Sequence, residues 1–308
     1  MAEAVERGLG LMHIALLSDI HANFEALAAV VADMDARHIA DCWYLGDVVG
    51  YGPEPVECLR WLSELVHAEA PESWVLGNHD AMLAGLLAEY DLADTNGTPL
   101  AAIELNRATL LTQPGATAFW REQFTDDRAR PRRHTVDGLD YTLVHGAQAH
   151  GRYYHRYVFP WETRYQADEF AILANGAPVG GRPQAQLFGH THVPTLIHFE
   201  GHQPRPLWVE PDVPYPLGEL SLVNPGSVGQ PRDFDRRAAY AVLDTVGRMV
   251  TFRRVAYDWQ RTAFCLVDGG YPDQLVRRLI EAPLPVDGAN PDWPVWRDHF
   301  RALGERAL

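Results

Sequence analysis

From position 13 the chain alternates short apolar runs with longer segments in which apolar residues return every three or four positions. HIALLS ends at Ser18, and the ANFEALAAVVADMDARH after it sets Leu27, Val30, Val31 and Met34 at helical spacing. The pair predicts a strand and then a helix. CWYLG followed by PVECLRWLSELV repeats the scheme. WVL, YTLVH, AQLFG and LSLVN read as further strands, and AAYAVLD with GRMVTFRRVAY, joined by a glycine-containing turn, reads as an antiparallel hairpin. This pattern predicts an α/β fold whose first half is built from strand-helix-strand units.

The chemistry lies in the short segments just beyond the strands. The first strand runs into SDIHAN, with Asp19 and His21; the second into GDVVG, with Asp47; the third into GNHD, with Asn78, His79 and Asp80. YTLVHG then places His145 at a strand end, and LFGHTH places His190 and His192 after another. Ligands of open α/β sheets bind outside the carboxyl ends of the strands, so these residues are expected on one rim. Any one of them has an ordinary alternative: Asp19 and Asp47 as helix caps, Asn78 as a turn residue, a histidine as a surface residue. Recurrence after successive strands favours a metal site, and the number of donors favours two ions. On extended backbone, positions i and i+2 share a face, which predicts that Asp19 with His21, and His190 with His192, point together. Imidazole with carboxylate suits first-row divalent ions, manganese first, with iron, zinc or nickel as alternatives. Asp47, between the other clusters in the chain, is the expected bridge.

Composition narrows the classes. With 308 residues and 47% apolar content, the chain can bury a large core. The formal net charge of −15 argues against broad capture of nucleic acid or of an anionic membrane. All 26 basic residues are arginine, so a phosphate loop with its lysine and Schiff-base chemistry are both excluded. No apolar run reaches the roughly 18 residues of a membrane span, and residues 1 to 11 lack a basic n-region, so they read as a loose extension. Cys42, Cys58 and Cys265 show no C-x-x-C spacing, and a reduced, cytoplasmic compartment is expected.

Taken in order, DIH, GDVVG, GNHD, VHG and GHTH resemble the calcineurin-like metallophosphoesterase superfamily, in the branch of small bacterial phosphodiesterases and phosphatases. NPGSVGQPRD from Asn224 is similar to the closing segment of such members, with Gly226 and Gly229 as structural turn residues. The resemblance implies a four-layer α/β/β/α sandwich of two mixed sheets flanked by helices. The expected division is an extension at 1–11, a metallophosphoesterase domain at 12–257 with an insertion at 149–186 that carries none of these blocks, and a C-terminal helical extension at 258–308 packed on the same domain. The resemblance further implies that Asp19, His21, Asp47 and His192 hold one ion, and that Asp47, Asn78, His145 and His190 hold the other. His79 is then left to face the phosphate, donating a proton to the leaving oxygen or stabilising phosphoryl charge. Asp80 either orients His79 or caps the following helix.

Two departures bear on substrate. The superfamily's protein phosphatases have Arg before G-N-H and a G-D-x-V-D-R-G second block; here Leu76 and GDVVGYG stand in those places. Replacement phosphate contacts are expected from the stretch around YYHRYVFPWETRY, with Tyr153, Tyr154 and Arg156, or from QPRDFDRR. Guanidinium groups and aromatic faces suit a nucleotide. Asn23 is expected to cap the first helix or to reach the phosphate. The resulting expectation is a phosphodiesterase acting on small nucleotides such as cyclic nucleotides. Phosphomonoesterase, dinucleoside-polyphosphate hydrolase and a non-catalytic scaffold are the alternatives, and a homo-oligomer remains open.

Overall fold

β1 (His13–Leu17) pairs in parallel with β2 (Asp41–Tyr44), and α1 (Phe24–Ala36) crosses between them. The computed structural model describes residues 13–68, 72–87, 97–147, 157–162, 168–169, 183–284 and 292–306. Residues on β1 alternate: Ile14 and Leu16 turn toward the second sheet, while Ala15 and Leu17 turn toward the helices. α1 buries Ala26, Leu27, Val30 and Met34, the stripe expected from the spacing with Ala26 in place of Val31.

The helices α2 (Pro55–Ala68), α3 (Asn78–Ala84), α4 (Gly97–Leu111) and α5 (Pro114–Gln123) come before the second sheet begins. That sheet starts with β3 (Arg132–Val136), β4 (Leu139–Leu143) and β5 (Gln184–Leu187). β6 (Thr195–Glu200), β7 (Gln203–Leu207) and β9 (Leu220–Asn224) complete it in the order β3-β4-β5-β9-β6-β7. β8 (Pro214–Pro216) returns to the first sheet with the hairpin of β10 (Ala238–Asp244) and β11 (Met249–Val255), giving the order β2-β1-β10-β11-β8. Both sheets mix parallel and antiparallel pairs, and their facing sides share a core containing Leu16, Trp43, Tyr141, Leu187, Val223 and Phe252. The architecture is the expected pair of mixed sheets flanked by helices.

One detail differs from expectation. WVL makes only a single parallel bridge, Trp74 to Tyr44, because the chain turns away at Gly77 before a ladder can form. The C-terminal helices α6 (Trp259–Asp268) and α7 (Asp273–Glu281) bury Leu266, Leu275 and Leu279 against Tyr51 and against Ala102 of α4. α8 (Trp293–Arg306) buries Trp296 and Phe300 against Phe159, Trp161 and Val193. Among the described residues, no helix is long and apolar enough to cross a membrane.

Candidate metal centre

Two loops at the sheet rim are zipped together by main-chain bonds. Asp19 donates its N–H to the Gly46 carbonyl at 2.9 Å, His21 to Asp47 at 2.9 Å, and Ala22 to Val48 at 2.8 Å. The pairing sets Asp19 and His21 beside Asp47. Asp19, His21, Asp47, His190 and His192 all have left-handed backbone, with φ between 50° and 66°. This corrects the extended-chain reason for expecting i and i+2 side chains to converge: the side chains do converge, but through tight turns. Such conformations cost free energy for non-glycine residues and persist only where the surroundings fix them.

The surroundings do fix them. Val228 and Gly229 donate to the Ser18 and Asp19 carbonyls, and the Asn224 amide donates to Gly189 O at 2.6 Å and Thr191 Oγ1 at 2.9 Å. The segment NPGSVG thereby buttresses the first and last ligand turns. A side chain at Gly229 would run into the Ile20 carbonyl, and one at Gly77 into the Asp47 carboxylate. Only glycine allows these approaches.

Seven predicted donors assemble here. Three groups could each hold an ion: Asp19 with His21 and His192; Asp47 with His145 and His190; and His21 with Asp47 and His79. Asp47 Oδ2 lies 3.7 Å from His21 Nε2 and 3.2 Å from His145 Nε2, so one carboxylate faces both of the first two groups. Asn78 Oδ1 lies 3.1 Å from His145 Nε2, on the second.

The imidazoles are oriented for ligation. His21, His145 and His192 present Nδ1 to the carbonyls of Val49 (3.1 Å), Leu45 (2.7 Å) and Gln230 (2.6 Å), so Nδ1 carries a proton in each, and Nε2 of His21 and His192 is bare. The bare Nε2 atoms of His21 and His192 then face each other at 3.0 Å. Two lone pairs at that separation repel unless a cation lies between them. Burial, followed by the neighbouring histidines, holds His21 well below the usual imidazole range, and burial with His145 does the same to His190. At His145 burial opposes the charge, but the Asp47 carboxylate prevails and pushes it up to about 9. The cavity calls for positive charge that its own histidines cannot all supply, and this donor set fits a divalent ion.

The remaining predicted residues divide. His79 is buried beside His21 and Tyr51, at ring separations of 4.7 and 4.4 Å, and its Nδ1 has no hydrogen-bond partner among the described residues. Burial pushes it down to about 4. Asp80 does not orient it. Both Asp80 oxygens accept main-chain N–H bonds, from Asp47 (2.8 Å), Val48 (3.0 Å), Val49 (3.2 Å) and Gly77 (3.1 Å), so it caps its helix and pins the Asp47 loop. Burial and the Asp47 carboxylate raise its affinity for a proton, to about 7, against the pull of these amides.

Asn23 is a cap and a strut, not a phosphate contact. Its carbonyl accepts from Ala26 N and Thr262 Oγ1, and its amide donates to Gly229 O and Tyr257 Oη, which leaves no atom for a ligand. Tyr153, Tyr154 and Arg156 lie outside the described residues. From the same insertion, Tyr157 stacks on His190 at 4.3 Å and 12°.

Sequence reasoning reached Arg232 only as part of QPRDFDRR, and it missed Tyr51. Arg232 donates to Tyr51 Oη at 3.3 Å and Gln230 Oε1 at 3.2 Å, interacts with Tyr157, and has no carboxylate partner among the described residues. Its charge is felt at His21, His79, His190 and His192. Tyr51 stands where the protein phosphatases' second block carries its arginine, and Arg232 reaches the Tyr51 hydroxyl from another loop.

Comparison with known proteins agrees with this geometry. A metallophosphoesterase structure from Sphaerobacter thermophilus shares 32% identity, with a TM-score of 0.67, over 89% of this chain and 100% of that one. An uncharacterized protein of Methanocaldococcus jannaschii is 30% identical over 271 residues, covering 87% of this chain and 97% of its own length. The symmetrical bis(5'-nucleosyl)-tetraphosphatase of Shewanella loihica is 35% identical over 95 residues, 30% of this chain and 34% of that enzyme. Residues 12–248 match the family model described as the calcineurin-like phosphoesterase superfamily domain, and with its rim of histidines and aspartates the chain belongs to that superfamily.

Proposed function

We infer that the protein is a dinuclear-metal-dependent phosphoester hydrolase, and that its substrates are small nucleotides cleaved as phosphodiesters. The observation that carries this is the Asp47 carboxylate shared between two histidine-bearing groups, with a buried, unpartnered His79 Nδ1 beside them. Asp19, His21, Asp47 and His192 would hold one ion and Asp47, Asn78, His145 and His190 the other. When bound, two divalent ions supply Lewis acidity toward the phosphoryl oxygens and a nucleophile at neutral pH, with manganese the expected metal.

The protein's own residues supply the rest. Arg232, which makes no ion pair with a carboxylate among the described residues, binds a non-bridging phosphoryl oxygen. His79 is neutral in the ligand-free protein, and an entering anionic phosphoryl group raises its proton affinity. It can then deliver a proton to the leaving oxygen or steady phosphoryl charge. Tyr157, 38% exposed and stacked on both His190 and Phe159, walls the centre beside His190. A non-catalytic scaffold has no use for a buried imidazole whose Nδ1 is unpartnered, or for a guanidinium without a carboxylate, among the described residues. Cleavage of dinucleoside polyphosphates is the second reading, favoured by the local similarity to the tetraphosphatase.

The test is a panel of an aryl phosphodiester, an aryl phosphomonoester, cyclic nucleotides and a dinucleoside tetraphosphate, assayed with Mn, Ni, Zn and Mg. Hydrolysis that is abolished by a chelator, restored by Mn and fastest on a nucleotide diester is expected. A protein carrying two ions that cleaves none of them is a scaffold.

A further inference from the structure

The loop that carries Arg232 is held from outside the metal centre. It serves the rim twice: the Gln230 carbonyl accepts from His192 Nδ1 at 2.6 Å, and Arg232 N donates to the His192 carbonyl at 3.3 Å. Two residues on, Phe234 has left-handed backbone, with φ of 64°, a conformation that an aromatic residue adopts only where its surroundings impose it. The flanking carboxylates impose part of it. Asp233 and Asp235 are both buried, and Arg254 of β11 pairs with each of them while donating to the Asp235 carbonyl at 3.3 Å.

The rest comes from the C-terminal helices, beyond residues 12–248 that match the superfamily. Phe234 N donates to the carbonyl of Ala282, the residue that caps α7, at 2.7 Å. α8 crosses the turn at Gly304, where a Cβ would stand 2.5 Å from the Phe234 carbonyl oxygen, so the helix rests on the main chain itself. One turn earlier, Arg301 sets its guanidinium 5.1 Å from the centroid of the Phe234 ring. The ring also packs with the cluster of Trp296 and Phe300, which holds Phe159 and Trp161 of the insertion and Val193 next to His192. α7, α8 and β11 therefore converge on one short turn, two positions from the guanidinium assigned to the phosphate.

We propose that Phe234 is a positioning residue: clamped by α7 and α8, it fixes the left-handed turn that aims Arg232 at the phosphoryl oxygen, and so makes the C-terminal extension part of the substrate site. The proposal rests on the hydrolase reading of the metal centre and on its assignment of Arg232. A purely structural role, in which Phe234 only anchors α8, would lower stability without any energetic link to Arg232.

The test is a double-mutant cycle on the full-length, manganese-loaded protein, read by calorimetric binding of inorganic phosphate and by kcat/KM on an aryl phosphodiester. R232A should weaken phosphate binding at least about tenfold, the scale of one charge-assisted contact. F234A should weaken it about fivefold or more, and F234A combined with R232A should be no weaker than R232A alone, within about twofold. F234Y, which keeps the ring, should restore most of the loss. G304A tests the clamp from the helix: alanine favours α8 itself, yet its methyl group pushes on the Phe234 carbonyl, and the same loss with the same coupling to Arg232 is expected. If F234A melts early, the G304A cycle decides. Independent losses that multiply, wild-type phosphate binding in F234A and G304A, or loss of an ion, which would move the effect to His192, overturn the proposal. A wild-type protein that binds phosphate without any metal-dependent hydrolysis of the reporter defeats the hydrolase reading itself. Hydrolysis by wild type together with normal phosphate binding in R232A defeats the assignment of Arg232 and the proposal with it, while leaving the hydrolase reading intact.

Discussion

Replacing Asp80 by Asn distinguishes a structural pin from a catalytic partner. The substitution keeps the shape of the side chain but exchanges one acceptor oxygen for an NH2 donor. Each oxygen now serves two main-chain N–H groups: Oδ2 those of Asp47 and Gly77, Oδ1 those of Val48 and Val49. Whichever way the amide turns, two buried N–H groups face a donor. A buried unsatisfied donor costs about 1–3 kcal/mol, so the pair costs about 2–6 kcal/mol. The two surviving bonds also lose the carboxylate's charge. Against a total stability of about 5–15 kcal/mol the loss is large. Urea unfolding of the metal-free protein should show it as a lowered midpoint with an unchanged slope. The variant should also bind metal more weakly, because the strained Asp47 turn loses its support. A variant within about 1 kcal/mol of wild type, with its ions intact and its turnover lost, would refute the pinning role and restore Asp80 as the partner of His79.

Two further outcomes are expected. His79→Ala should keep its ions and its fold while slowing esters with poor leaving groups by roughly a hundredfold or more, read from kcat across a leaving-group series; equal losses throughout would assign His79 to phosphoryl charge, and no loss would remove it from the reaction. In the metal-free protein His145 is raised to about 9 and therefore carries a proton at neutral pH, and its stabilising pairing with Asp47, complete below its unfolded value of 6.5, fades as pH rises through about 9. An ion entering beside Asp47 must displace that proton, so affinity should rise with pH across the neutral range, by about tenfold per unit. Calorimetry in buffers of different protonation enthalpy reads the released proton, and ion uptake without one would exclude His145 as a ligand.

The candidate metal-binding cluster was legible because each member comes after a strand that the hydrophobic pattern already marks, and the strand ends share one rim. Asp19, His21, Asp47, Asn78, His145, His190 and His192 needed only that placement. Their convergence was expected for the wrong local reason, since left-handed turns at both Asp-x-His and His-x-His are invisible to a period-two pattern. Asp80 and Asn23 carry ligand-like chemistry in the sequence, yet Asp80 is consumed chiefly by main-chain N–H groups of the Asp47 loop and Asn23 by Gly229 O, Tyr257 and Thr262 together with its own helix start, partners mostly brought close by folding. Arg232 and Tyr51 meet across 181 positions of chain. Their alliance depends on tertiary placement, which no local spacing encodes.

The shared carboxylate of Asp47 is the centre of the assignment, and metal content by plasma spectrometry addresses it directly. The wild-type chain should retain two divalent ions after dialysis, and Asp47→Ala, folded by circular dichroism, should retain one or none with nearly all activity lost. Two ions per chain in the folded mutant would contradict a centre bridged by Asp47.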